Sequence, residues 1–172
     1  MDSRFSHAET KPANGPTRPK SIRILRGAAA APLWQKLDAF LRTHAYQVYR
    51  DSGQEHGKHL DHWTAARARF VSSEVEVRES GVWFHGNCTV ENIAADKIQL
   101  AIEPSQLVLH IDSGAVPEYV SQDAGAPVFY WAKWPQPVDP YTAAAYIVEG
   151  AVTIEVKKAD PALDHSESAA NH

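Results

Sequence analysis

The stretch Ile98-Gln99-Leu100-Ala101-Ile102-Glu103-Pro104-Ser105-Gln106-Leu107-Val108-Leu109-His110-Ile111 decides the fold class. Ile98, Leu100 and Ile102 fall at every second position, and after a Pro-Ser break Leu107, Leu109 and Ile111 do so again. Successive side chains of an extended chain point to opposite faces, so each run lines one face of a strand. The same period of two holds for Val75 and Val77, for Val82, Phe84, Gly86 and Cys88, and for Val152, Ile154 and Val156. Short alternating strands with Gly and Pro between them predict a β-sandwich of antiparallel sheets over residues 74–158. Gly150, ahead of the last strand, reads as a hairpin turn, where a residue without a side chain takes positive φ. Pro135, Pro137 and Pro140 cannot donate to a ladder and are expected to separate two strands.

Toward the N-terminus the period changes. Leu33, Leu37, Phe40, Leu41, His44, Ala45 and Val48 follow the alternating three- and four-residue spacing of one helix face, with Pro32 suited to the first turn and Gly53 to the C-terminal cap. Beyond a turn from Gly53 to Leu60, Asp61 is expected to cap a second helix carrying Trp63, Ala66 and Phe70. Residues 31–72 therefore read as a helical hairpin. Residues 1–30 carry Arg4, Lys11, Arg18, Lys20, Arg23 and Arg26 against Asp2 and Glu9, with three prolines among them, and read as a flexible basic arm. The polar, acidic residues 159–172 read as a flexible tail.

Bulk properties exclude several classes of function. A chain of 172 residues holds one ordinary domain and a small appendage. A formal net charge of -4 argues against a surface built for phosphate backbones, so no nucleic acid is expected. No apolar run reaches the ~18 residues of a membrane helix, so no membrane partner is expected either. The apolar residues around Ile22–Ala31 are interrupted by Arg23 and Arg26 and lie far from Met1, unlike a secretory signal. A lone Cys88 excludes an internal disulfide and fits a reducing, cytoplasmic setting.

Residues 75–158 resemble the alpha-crystallin domain of the small heat-shock proteins. That family shows Leu-Pro-x-x-Val-Asp, then Ala-x-x-x-x-Gly-Val-Leu and a final strand. This chain reads Trp134-Pro135-Gln136-Pro137-Val138-Asp139, then Ala145 and Gly150-Ala151-Val152-Thr153-Ile154-Glu155-Val156, with Trp134, Ala151 and Val152 as departures. Asp96-Lys97-Ile98-Gln99-Leu100-Ala101-Ile102 and Leu107-Val108-Leu109 look like two further strands of that domain. Residues 38–69 resemble a short bacterial helical domain of unknown function, through Ala45-Tyr46, Tyr49, Gly53, Gly57, Asp61, Trp63 and Ala66. Arg67 stands where that domain usually has an acidic residue. The first resemblance implies an immunoglobulin-like sandwich of the alpha-crystallin type whose edges and arms hold oligomers and unfolding proteins. The second brings no activity with it.

Catalytic and metal sites are tested residue by residue. Gly53 to His59 has one residue too few for a phosphate loop, ends in His where Ser or Thr is needed, and follows a helix. His56, His59 and His62 recur at helical spacing beside Asp61 and could hold a metal on one helix side. Gly57 and a cap at Asp61 break that helix, so the cluster reads as a solvated turn and no metal is expected. Cys88 shares parity with Phe84 and Gly86 while His85 points the other way, which excludes a Cys-His nucleophile pair. Asn87-Cys88-Thr89 matches a glycosylation acceptor by chance, since nothing points to secretion. No cofactor and no enzymatic activity are expected.

What remains is surface for other chains. The strand Val128-Phe129-Tyr130-Trp131-Ala132-Lys133-Trp134 is apolar on both faces. One face must meet the core, and the other is expected to be covered by the helical hairpin, with Trp34, Trp63, Trp131 and Trp134 as the surface between the modules. The C-terminal tail lacks the Ile-x-Ile motif common in the resembled family, but the N-terminal arm contains Ile22 and Ile24 at strand spacing. Ile22 and Ile24 are expected to dock on the edge formed by the strands of Leu100 and Ile102 and of Ala145 and Ile147, within a subunit or between two. The resemblance implies an ATP-independent holdase whose partners are unfolded or partly folded client proteins, with self-association as a dimer or small oligomer. The segment Asp112–Pro127 is shorter than the loop that many bacterial members exchange. The alternative is a non-catalytic adaptor or scaffold that binds one dedicated protein.

Overall fold

Apolar alternation produces strands, and the strands have two faces to cover; the architecture follows from how each face is covered. The computed structural model describes residues 18–53, 57–90, 93–112 and 128–160. Along the chain they form β1 (Lys20–Ser21), β2 (Arg23–Arg26), α1 (Ala31–Asp51), α2 (His59–Phe70), β3 (Val71–Ser72), β4 (Glu76–Ser80) and β5 (Trp83–Thr89). Then follow β6 (Ile98–Ile102), β7 (Gln106–Ile111), β8 (Val128–Lys133), β9 (Val138–Val148) and β10 (Ala151–Lys158). Short 3-10 turns precede α1 at Gly27–Ala30 and β6 at Ala95–Lys97.

The strands assemble into two sheets, ordered β1-β9-β10-β5-β4 and β2-β6-β7-β8-β3. Most neighbours are antiparallel, but the edge strands β2 and β3 of the second sheet run parallel to β6 and β8. The facing sides interdigitate in one apolar core. Phe84, Ile98, Leu100, Ile102, Leu107, Leu109, Val152, Ile154 and Val156 are fully buried there. The sandwich therefore starts earlier than residue 74: β1, β2 and β3 come from residues 20–72. The reading of residues 1–30 as an arm gives way at Lys20, because Ile22 is buried and brings its neighbours into the sheets. Residues 1–17 and 161–172 lie outside the described residues.

A second apolar cluster lies on the outer face of the second sheet. Ala101, Val108 and Phe129 point away from the sandwich core and meet Leu33, Leu37 and Leu41 of α1. Helix α1 starts near Pro32 and stops at Asp51 before Gly53, which has φ 84. Helix α2 begins at His59, so Asp61 sits in its first turn and does not cap it. The helical hairpin thus bridges the sheet face from the edge strand β2 to the opposite edge strand β3.

One proline lies within a strand, and the Gly150 hairpin is present as expected. Pro140 lies inside β9, at a place where the β9–β10 pairing is irregular. There its missing N–H costs nothing, and its carbonyl is used as described below. Glu149 and Gly150 form the two-residue β9–β10 hairpin with φ 49 and 80, and the Gly150 carbonyl accepts the Val90 N–H at 2.8 Å. Positive φ at both turn positions strains any residue with a Cβ, glycine excepted. Gly150→Val is expected to lower unfolding free energy by roughly 1–2 kcal/mol, and Glu149→Gly to raise it by up to about 1 kcal/mol. Urea midpoints of the two variants check this, and equal midpoints would show that the turn carries no strain.

Candidate functional site

An open sandwich has sheet edges with unpaired N–H and C=O groups, and here one side of the molecule is closed by residues 20–26. Lys20 and Ser21 pair with Ile147 and Tyr146 on the edge of the first sheet. Two residues later Arg23 begins a second pairing, and Ile24 and Leu25 follow it opposite Leu100 and Ala101 on the edge of the second sheet. Ile22 lies at the crossing, where its N–H donates to the Ala145 carbonyl at 2.9 Å. Its side chain is 5% exposed and joins the core cluster, against which Ile24 also packs. Leu100, Ile102, Ala145 and Ile147 are buried in that same cluster. The structure thus brings all six of these residues together, within one subunit.

Arg26 fastens the segment. Its Nε donates to the Pro140 carbonyl at 2.7 Å and its Nη2 to the Ala143 carbonyl at 2.8 Å. The guanidinium fork, on a strand of one sheet, thereby satisfies two carbonyls of β9 in the other. Gly27 then takes φ 52 and turns the chain toward α1.

The four tryptophans expected between the modules divide between two places. Trp34, Trp63 and Trp131 pack on the cluster between the helices and the second sheet. Trp131 also carries the Arg67 guanidinium over its ring at 3.5 Å and donates through Nε1 to the Gln106 side chain at 3.1 Å. Trp134 does not belong to that surface. It is 6% exposed inside the sandwich and stacks on Phe84 with ring centroids 6.1 Å apart. Positions 131 and 134 differ by an odd number, so on a continuing extended chain they cannot share a face.

The remaining candidate groups are not brought together into one site among the described residues. His56 lies outside the described residues. His59 is exposed, whereas His62 is buried with Nε2 3.2 Å from Ser52 Oγ. Among the described residues no group of three or more His, Cys, Asp or Glu side chains could hold a metal ion. Burial pushes the Cys88 thiol up to about 12, so it stays protonated at neutral pH and has no nucleophilic character. His85 sits 3.7 Å from Glu155 on the outer face of the first sheet. A cleft of about 440 Å³ opens between α1 and α2, lined by Tyr46, Tyr49, Leu60 and Trp63 among others. Arg42 at its rim is paired with Asp38 at 2.8 Å.

His110 is a buried polar group that no motif points to. It lies on β7, 4% exposed, with its ring 4.8 Å from Phe129. The available signal was its place opposite in parity to Leu107, Leu109 and Ile111, on the face that the helices cover.

Solved structures of small heat-shock proteins are similar to this chain. Heat shock protein 16.0 from Schizosaccharomyces pombe is 13% identical, covering 52% of this chain and 75% of its own, with a TM-score of 0.42. A small heat-shock protein from Xylella fastidiosa is 17% identical over 51% of this chain and 86% of its own, with a TM-score of 0.39. A small heat shock protein from Synechococcus phage S-ShM2 is 14% identical over 57% and 95%, with a TM-score of 0.35. Residues 40–70 match a family model described as a protein of unknown function, DUF2934. No curated protein matches the chain. Among the described residues no helix is long and apolar enough to cross a membrane.

The docked segment makes a direct expectation. Ile22→Ala removes most of a buried side chain and should cost about 2–4 kcal/mol, and Arg26→Ala about 1–2 kcal/mol through two lost hydrogen bonds. Amide exchange at residues 98–102 and 145–147 should accelerate in both variants. Unchanged exchange there would mean that these edges do not depend on the segment.

Proposed function

We propose that this chain is an ATP-independent, small-heat-shock-like chaperone that holds exposed apolar segments of unfolding proteins, without catalysis and without a cofactor. The observation that carries this reading is the groove between the β9 and β6 edges. It accommodates the extended segment Lys20–Arg26 through main-chain hydrogen bonds and two isoleucines at alternate positions. Recognition of that kind reads backbone and aliphatic bulk, and so accepts many sequences. The Trp134–Asp139 and Gly150–Val156 motifs support the same reading through their likeness to the alpha-crystallin domain.

A client segment enters the groove when residues 20–26 leave it. The displaced segment has the same chemistry as a client and would seat in the groove of a second copy, which makes a dimer or small oligomer the expected assembly. Two isoleucines contribute roughly 3–6 kcal/mol of apolar burial before ordering costs, enough for reversible exchange but not for a rigid shell. The partners are non-native proteins, not nucleic acid or membrane, and the free thiol of Cys88 suits a cytoplasmic setting.

Light scattering of two unrelated heat-labile proteins tests the reading. Both should aggregate less in the presence of this chain, and more strongly so with Ile22→Ala/Ile24→Ala, whose groove is vacated more easily. Protection of neither, together with one protein retained in stoichiometric complex, would replace the chaperone by the adaptor.

A further inference from the structure

The helices and the second sheet meet in a cluster separate from the sandwich core. Leu33, Leu37, Leu41, Ala101, Val108 and Phe129 belong to the first, and the inward residues of both sheets to the second. The sandwich core therefore contains no side chain of the hairpin. The tether on the far side is slight: α2 leads directly into β3, whose two residues, Val71 and Ser72, pair with Phe129 and Tyr130. On the near side the chain turns at Gly27.

The interface also contains polar atoms that it does not satisfy. Trp34 Nε1 and His110 Nε2 are buried without a protein hydrogen-bond partner among the described residues. Each such group carries a desolvation cost that undocking would relieve. His110 lies on the covered sheet face with Phe129 as its cross-strand neighbour on β8 and Gln99 on β6. Lys36 of α1 and Asp112, just past β7, are the charged groups acting on it, and Arg23 of β2 stands one strand beyond Gln99.

We propose that α1 and α2 form a cover that undocks as a unit in acid, baring the outer face of the second sheet, with His110 as its acid-sensitive contact. The use of that bared face by extended apolar client segments rests on the chaperone reading above. Burial, and to a lesser degree Lys36, bring the His110 pKa from 6.5 down to about 4, with Asp112 opposing. The docked state thus keeps the imidazole neutral, whereas the undocked state takes up a proton near its ordinary value. Docking is strongest above that value, weakens as pH falls through it, and levels off near the docked value. Over that window the docking equilibrium shifts by about two orders of magnitude toward the undocked state.

The full chain is tested at about pH 7.5 and about pH 4.5, with an anilinonaphthalene sulfonate dye as the probe of apolar surface. Acid should raise dye fluorescence and accelerate amide exchange in residues 31–51 and 59–70 by up to about a hundredfold, the shift in opening that one imidazole supplies. Amides of β5 and β10 should stay protected. His110→Leu should suppress both changes, and His110→Phe serves if the leucine variant does not fold. Loss of protection in β5 and β10 together with the helices, or acid behaviour unaltered by the His110 variants, overturns the cover. Dye binding and helix exposure without any gain in client protection leave the cover standing and remove the chaperone reading.

Discussion

The hydrogen bond from Ile22 N–H to the Ala145 carbonyl lies where the chain crosses from one sheet to the other. Two unpaired edges, of β9 and β6, face the same side of the sandwich, and either one alone is a template for unwanted pairing. A single extended segment satisfies both because it need not stay on one sheet: β1 serves the first edge, β2 the second, and Ile22 fills the space between. Arg26 then ties the second sheet's edge strand to carbonyls of the first. Every later element inherits this arrangement, since β2 sets the edge from which the chain turns at Gly27 into α1.

That starting point explains why the hairpin lies where it does. The chain leaves β2 at one edge of the second sheet and must arrive at β3 on the opposite edge, with β6, β7 and β8 between. The route across the outer face is taken by the apolar side of α1. An antiparallel sheet normally leaves such a face polar. Here Ala101, Val108, Phe129 and Trp131 make it apolar, and the 21-residue α1 supplies the matching stripe of Leu33, Leu37 and Leu41. A small two-helix unit cannot bury its own apolar surface, so helices and sheet face each supply what the other lacks.

Much of this was legible in residues. Period two in Ile98–Ile111 and Val152–Val156 announced strands, and the three- and four-residue spacing of Leu33, Leu37 and Leu41 announced a helix face. Ile22 and Ile24 were recognisable as a docking segment because they alternate next to Pro19. The boundaries were less legible. Basic and proline-rich residues ahead of Lys20 hid that this alternation belongs to two strands of two and four residues in two different sheets. Asp61 looked like a cap because its side chain suits one, although α2 begins two residues earlier at His59. Trp131 and Trp134 were grouped by chemistry where parity separates them. His110 stayed hidden because a single histidine in an apolar strand is informative only once the cover on its face is known.

Comparing the two apolar clusters separates what must be permanent from what is free to change. Phe84, Leu100 and Ile154 contact partners from both sheets, and removing any sheet destroys their environment. The residues between helices and sheet contact one continuous stretch of chain, residues 25–71, on one side only. Opening that contact exposes apolar area but breaks few ladder hydrogen bonds, because β3 contributes only two residues to the sheet. Local opening costs least where few hydrogen bonds and a separate cluster coincide. At the opposite edge β1 is equally short, but Ile22 belongs to the sandwich core itself and β2 adds four paired residues, so that contact opens at greater cost. The fold therefore sets the helix–sheet contact, which opens with few ladder hydrogen bonds lost, apart from β5, β6, β7, β9 and β10, whose ladders and shared core tie both sheets together.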